Sequence, residues 1–320
     1  MPEISVRPVA TGSLTCAGPP PVETTLARCS GPALPSITAT IASVQVLVTG
    51  HRGKIGTTVA EQLRRLGHMV VGFDVADGDD LRDLAAVTRA TASCEAVVHL
   101  GGIPHDSAGL PEDIMAVNAL GTWHVLLAAE RERVGRVVHF SSVQVFGLAE
   151  GEGFPDYFPV DDDHPRRAKR PYGLSKRLSE DMCETFSARS GIPSISFRPV
   201  WVWQPEYYRT IEDRRRLDPR SEWEPYWEWG AFVDVRDVAS AVASSLEVAF
   251  EGHHRALLCA ADISGSAPSL ELAARLAPGV PVRDREIYSS DPWHALFSCT
   301  VAQDLLGWQP RYRWSERGSP

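Results

Sequence analysis

The six cysteines of this 320-residue chain, Cys16, Cys29, Cys94, Cys183, Cys259 and Cys299, include no CxxC pair. Without that spacing neither a zinc site nor a disulfide framework is expected, and a reducing, cytoplasmic setting fits best. The ten histidines also lack metal-ligand patterns: there is no HExxH, and His253 and His254 are adjacent, so their side chains diverge on a regular element. No metal requirement is expected. Positive charge is scarce, with 32 Lys and Arg against 41 Asp and Glu for a net of −9, so the field that gathers nucleic acid or an anionic membrane is missing. No apolar run approaches the roughly 20 residues needed to cross a bilayer. What is present is an ordinary globular composition, 43% hydrophobic and 23% charged, long enough for one large α/β domain or two lobes. A small molecule is the default partner.

Residues 1–43 carry Pro8, Pro19, Pro20, Pro21, Pro32 and Pro35 among Ser, Thr and Ala without lasting periodicity, and are expected to be a disordered leader. From Val44 short apolar runs alternate with amphipathic stretches, the pattern of βα units around a parallel sheet buried on both faces. Strands are expected at Val44–Val48, Met69–Phe73, Ala96–Leu100, Arg136–Ser141 and Ser194–Phe197, and helices at Thr57–Leu66, Leu81–Ala90, Ile114–Arg133 and Tyr172–Ser190. Gly67 and Gly191-Ile192-Pro193 close two of those helices. The fold class is a doubly wound α/β parallel sheet of the Rossmann kind. Residues 44–200 are expected to be the dinucleotide-binding domain and 201–320 mainly a small interleaved substrate lobe, with 231–260 partly returning to the sheet. Residues 201–229 hold five of the nine tryptophans, which either pack the small lobe or wall a carbohydrate. Asp161-Asp162-Asp163 and the following His164 read as a solvated loop without chemistry.

Gly50, Gly53 and Gly56 stand at GxxGxxG spacing between an apolar strand and an amphipathic helix. The first glycine permits the tight turn, the second lets backbone approach a pyrophosphate, and the third lets helix and strand close, while the helix N-terminus offers free N–H groups. Asp74 follows Val70-Val71-Gly72-Phe73 at the end of the next strand, where a carboxylate accepts from an adenosine ribose and repels a 2′-phosphate. That favours NAD. Arg52 and Lys54 in the glycine loop pull toward NADP, which stays open as the alternative.

Tyr172 and Lys176 fall at i and i+4 of a helix start, so an ammonium sits near a phenol and moves it toward a usable pKa. About thirty residues earlier a strand ends in Ser141-Ser142-Val143-Gln144-Val145-Phe146-Gly147, placing a hydroxyl at the crevice where α/β sheets bind ligands. With these elements, residues 44–312 resemble the extended short-chain dehydrogenases/reductases, the NAD-dependent epimerase/dehydratase family. Agreement extends in order through Asp80-Leu81, His99-Leu100-Gly101-Gly102, Asn118 within NALGTWH, YGLSK, Arg198-Pro199, FVDVRDVA and the terminal LGWQPRYRW.

The resemblance implies Tyr172 as acid/base, Lys176 as the residue that holds the nicotinamide ribose and tunes Tyr172, Ser142 as the residue that orients the substrate oxygen, and Asn118 as a support of the active-site backbone. It implies cofactor contacts from Gly50, Arg52, Gly53, Lys54, Ile55, Gly56, Asp74, Asp80, Leu81, Leu100, Gly101, Gly102, Tyr172, Lys176 and Pro199, and a homodimer. There are departures. Phe146 stands where many sugar epimerases have tyrosine, Val200-Trp201-Val202-Trp203 replaces NxYG, and no Asp-Glu pair flanks Ser142, which disfavours a dehydratase. The turn His99-Leu100-Gly101-Gly102-Ile103 and the pair Tyr208-Arg209 resemble uronate dehydrogenases, so Arg209 is a candidate clamp for a substrate carboxylate. The expected function is NAD-dependent oxidation at a hydroxyl of a sugar or sugar acid. A nucleotide-sugar epimerase is the alternative, and a non-catalytic dinucleotide sensor the third reading.

Overall fold

Runs such as Gln45-Val46-Leu47-Val48-Thr49 are rich in β-branched residues and bury both faces, so they form inner strands of a parallel sheet. The structure, a computed structural model, describes residues 43–148, 152–218 and 229–316. All but the last residue of the expected leader lies outside the described residues, as do Trp223 and Trp227 of the tryptophan-rich stretch.

In chain order the elements begin with β1 (Gln45–Thr49), α1 (Lys54–Arg65), β2 (Met69–Phe73), α2 (Leu84–Thr91), β3 (Ala96–His99), α3 (Pro111–Ile114), a π-helical turn Met115–Leu120, α4 (Gly121–Arg131) and β4 (Arg136–Phe140). They continue with α5 (Pro171–Ser190), β5 (Ser194–Pro199), β6 (Val202–Trp203), α6 (Pro205–Leu217), β7 (Val233–Asp234), α7 (Val235–Glu247), β8 (His253–Leu258), α8 (Ser269–Leu276), α9 (Arg285–Ser290) and α10 (Thr300–Leu306). Six strands pair in the order β2-β1-β3-β4-β5-β8, every pairing parallel. Strand order reverses between β1 and β3, so the ligand crevice of such a sheet opens at their C-terminal ends. Register brings those ends level: Thr49 lies opposite both Phe73 and His99, and His99 opposite His139.

Alternation along the strands divides the core. Val46 and Val48 face Val59 and Leu63 of α1 and Val238 of α7 on one side, whereas Leu47 and Val97 face Val125 of α4 and Phe186 of α5 on the other. Helix α1 buries Gly56, Val59, Ala60 and Leu63, the i, i+3, i+4, i+7 stripe of an amphipathic helix, and ends before Gly67 at φ +91. The helix expected over 114–133 is instead α3, the π turn and α4, because one extra residue is inserted at Asn118. Beyond β5, β6 and β7 form a separate two-stranded parallel sheet, and β8 joins the edge of the main one. Trp203 is fully buried there, stacked on Phe232 at 4.5 Å and edge-on to Tyr208 and Trp314, so these rings pack against one another. Among the described residues no helix is long and apolar enough to cross a membrane.

Candidate active site

Gly50 leaves β1 at φ +69, a left-handed backbone that glycine adopts without strain. A Cβ there would stand 2.7 Å from the backbone nitrogen of Gly101, so the turns after β1 and β3 touch, and a Cβ on Gly56 would overlap the Gly50 carbonyl. Gly53 is different: its Cβ would meet only the Gly50 oxygen, at 3.2 Å, leaving space above the start of α1. The first amide bonded inside α1 is that of Thr57, onto Gly53 O at 3.0 Å, so Lys54, Ile55 and Gly56 present N–H groups without intrahelical acceptors. This cradle and helix end fit a dinucleotide's pyrophosphate.

At the rim, Asp74 caps a short turn by accepting from Ala76 N at 2.9 Å and also accepts from Arg52 N at 3.0 Å. Both cations of the glycine loop are engaged. Arg52 forms a fork with Asp77, Nε to Oδ2 at 2.7 Å and Nη2 to Oδ1 at 2.5 Å, and Lys54 Nζ donates to Tyr207 Oη at 2.7 Å. Asp80 is turned toward Arg82, whereas Leu81 is buried, its Cδ1 2.9 Å from where a Gly101 Cβ would stand.

Gly101, Gly102 and Ile103 are held from below by a chain of hydrogen bonds that the sequence did not announce. The Gly101 amide donates to Thr49 Oγ1 at 3.0 Å, and that hydroxyl donates to His99 Nδ1 at 2.7 Å. Thr122 Oγ1 donates to Asn118 O at 2.5 Å and therefore accepts from His99 Nε2–H at 3.0 Å, which fixes the tautomer. Burial, aided by the nearby Lys176 charge, pushes the imidazole down to about 3, so His99 stays neutral. Asn118 completes the support: it accepts from Ile103 N at 2.7 Å, donates to Ile103 O at 3.0 Å and reaches Ser175 Oγ at 3.2 Å. Asn118 lies in the π turn Met115–Leu120.

Ser142 caps the turn after β4 by accepting from Gln144 N at 3.2 Å. That turn lies directly against the start of α5, since a Cβ on Gly173 would come within 2.6 Å of Gln144 O. Tyr172 precedes that glycine, with its amide held by Asp106 Oδ1 at 2.8 Å. One turn on, Lys176 Nζ donates to Phe140 O at 2.8 Å and stands 5.8 Å from the Tyr172 ring centroid. A Cβ on Gly102 would be 3.8 Å from the same ammonium, so the β3 turn, Asn118 and Lys176 meet. Burial holds the Lys176 pKa down at about 8.

A second turn along α5, Glu180 is fully buried and takes a paired bond from Arg198, Nε to Oε1 and Nη2 to Oε2, both at 2.8 Å, and another from Ser141 Oγ at 2.6 Å. Burial alone would raise its pKa, but the bonds and charge of Arg198 outweigh this and hold it below the ordinary value. Arg198 also donates to Asp162 O at 2.7 Å, and Asp162 accepts from Leu257 N at 3.1 Å. The solvated loop expected at 161–163 is therefore corrected: the Asp162 side chain is only 8% exposed and His164 is buried. Arg198, buried within β5, takes its counter-charge from Glu180, and the loop adds the Asp162 carbonyl and a carboxyl whose pKa burial pushes up to about 7. Pro199 ends β5, buried opposite Leu258.

Arg209 is not brought to this cluster. Helix α6 turns Ile211 inward, with Tyr207 and Tyr208 packed beside it, so Arg209 falls on the outer face, its side chain 91% exposed and 3.9 Å from Asp213.

The family model for the NAD dependent epimerase/dehydratase family matches residues 46–258. Uronate dehydrogenase of Pseudomonas syringae pv. tomato is 34% identical over 167 residues, 48% of this chain and 58% of that protein. UDP-glucose 4-epimerase 1 of Oryza sativa subsp. japonica is 28% identical over 171 residues, 45% and 47% of the two. The chain thus spans less than two thirds of either relative. A short-chain dehydrogenase/reductase superfamily protein from Agrobacterium tumefaciens, solved with NAD bound, superposes at a TM-score of 0.63 with 21% identity, covering 85% of this chain and 94% of that one. The family model covers more than half of the chain, and the chain belongs to the NAD dependent epimerase/dehydratase family.

Proposed function

We propose that this chain is an NAD-dependent oxidoreductase that oxidises a hydroxyl of a sugar or sugar acid. The observation that carries the reading is the Lys176 ammonium, buried, fixed on Phe140 O and one helical turn from Tyr172, with the Ser142 turn packed on the same helix start. A phenol with pKa near 10 is a poor base at neutrality, but an adjacent cation stabilises its phenolate. Tyr172 then takes the substrate's hydroxyl proton while Ser142 Oγ holds the same oxygen. NAD supplies the hydride acceptor when bound.

Gly50, Arg52, Gly53, Lys54, Ile55 and Gly56 would hold its pyrophosphate, Asp74 its adenosine ribose, and Asp80 and Leu81 its adenine. Leu100, Gly101 and Gly102 would lie beneath it, with Tyr172, Lys176 and Pro199 at the nicotinamide end. Asn118 keeps the Gly101–Ile103 turn in place. In this reading residues 44–200 serve the dinucleotide and 201–320 mainly the substrate, with 231–260 partly completing the sheet. The uronate dehydrogenase relative supports a sugar acid. The exposure of Arg209 argues for a different group on its carboxylate.

The UDP-glucose 4-epimerase relatives favour a second reading, in which hydride returns to the same intermediate and a sugar carbon is inverted. A screen of uronates, neutral sugars and nucleotide sugars with added NAD, followed by absorbance of reduced nicotinamide, separates the two. Silence with every sugar would refute the dehydrogenase.

The working unit is a homodimer in this proposal. An apolar groove of about 620 Å³, lined by Ala119 and Leu120 of the π turn, Trp123 of α4, and Leu178 and Met182 of α5, supports self-association. The cytoplasm is the proposed compartment, supported by four free, buried cysteines. Cell fractionation that recovers the chain elsewhere would contradict it.

A further inference from the structure

We propose that Asp77 is the residue that keeps this chain selective for NAD, by occupying the two basic side chains that would otherwise receive a 2′-phosphate. The inference rests on the dinucleotide reading of the β1–α1 cradle and deepens it. The backbone N–H of Arg52 is bonded to Asp74, the carboxylate placed where the adenosine ribose would sit, so the Arg52 side chain starts at the rim of that pocket. Its guanidinium is not available there: both oxygens of Asp77 take it, at 2.7 and 2.5 Å. His51 is drawn to the same carboxylate, Nε2 to Oδ2 at 3.0 Å, with its ring lying where a side chain at Gly72 would be.

Asp77 is put in this place by the fold. It ends the short turn Val75–Asp77, which Asp74 caps and Gly78 closes at φ +90. Only ten residues join β2 to α2, so the connection stays close over the glycine loop. The rim therefore gathers Asp74, Asp77 and Asp79, the last accepting from Asp74 N at 3.2 Å, around one satisfied guanidinium. Such a rim repels a dianionic phosphate and leaves a ribose hydroxyl its acceptor. Removing the Asp77 charge reverses the balance. A freed arginine fork matches phosphate geometry, and His51 stands beside it as a second donor.

The test is titration of NAD and NADP, and of the probes 5′-AMP and adenosine 2′,5′-bisphosphate, into wild type, Asp77→Asn, and Asp77→Asn combined with Arg52→Ala. Asp77 lies in a partly exposed turn, and a melting curve on each protein verifies folding. Wild type is expected to prefer NAD. Asp77→Asn should move the NADP/NAD affinity ratio toward NADP by roughly tenfold or more, the scale of a new charge-assisted contact, and the double variant should lose most of that gain. An unchanged ratio in Asp77→Asn while NAD still binds overturns the role of Asp77 and leaves the cofactor reading standing. A gain that survives Arg52→Ala overturns the release of Arg52. Wild-type protein that binds neither dinucleotide overturns the cofactor reading and this inference with it.

Discussion

Lys176 is the most informative single residue, because an ammonium with 7% exposure must be held for a reason. It donates to a strand-end carbonyl, Phe140 O, and stands 5.8 Å from the centre of the Tyr172 ring. Replacing Tyr172 with Phe keeps the ring and removes the proton carrier. Turnover should then fall by roughly 10² or more with NAD affinity nearly unchanged, measured by steady-state rates beside NAD titration. Near-normal turnover would sink the assignment. The proposed site residues Ser142, Tyr172 and Lys176 could be picked out in the sequence because their spacing survives in one dimension and each type suits one chemical task. His99 was visible only as part of a matching motif. Its work depends on Thr49 and Thr122, 50 residues before and 23 after it, which meet only through the sheet.

Helix α5 works as a ruler along one stripe. Lys176 follows Tyr172 by one turn and bonds Phe140 O, and Glu180, one turn further, anchors the helix to Arg198 of β5 and to Ser141, the residue before Ser142. Neutralising Glu180 leaves Arg198, 1% exposed, with a far weaker counter-charge inside the protein. Glu180→Gln should therefore cost about 3–5 kcal/mol of folding stability, the scale of an uncompensated buried charge, read from the denaturant midpoint. A loss under about 1 kcal/mol would show that Asp162 or solvent meets the charge instead. This network was not legible, because Glu180 sits in a charged stretch that reads as a solvated face, and Asp162 lies in an acidic loop. The break in the helix at Asn118 was hidden for a related reason: a π turn inserts one residue without interrupting the apolar pattern. The outward placement of Arg209 was not legible from the Tyr208-Arg209 pair, because neighbouring residues on a helix point about 100° apart, so Tyr208 packs inward while Arg209 is exposed.

At the scale of the molecule, alternating strand and helix patterns carried the doubly wound sheet, and five strands lie within two residues of their expected bounds. The edge strand β8 and the small β6–β7 sheet were harder to read, since their partners are set by what packs beside them after chain reversal. Leu120, at the end of the π turn before α4, is 45% exposed in an apolar groove shared with α4 and α5. Light scattering should report twice the chain mass for wild type and the single mass for Leu120→Asp with an unchanged circular dichroism spectrum. Monomeric wild type at working concentration would refute the dimer.

The crevice at the ends of β1 and β3 carries the central claim, that hydride leaves a sugar hydroxyl for a releasable NAD. The most direct measurement mixes purified protein with added NAD and a uronate or sugar, and compares reduced cofactor formed with substrate consumed. Equal amounts of the two, from protein that carries little bound cofactor of its own, are the expected result. Tightly retained NAD, inversion at one sugar carbon and no net reduced cofactor would contradict it and leave the epimerase reading in its place.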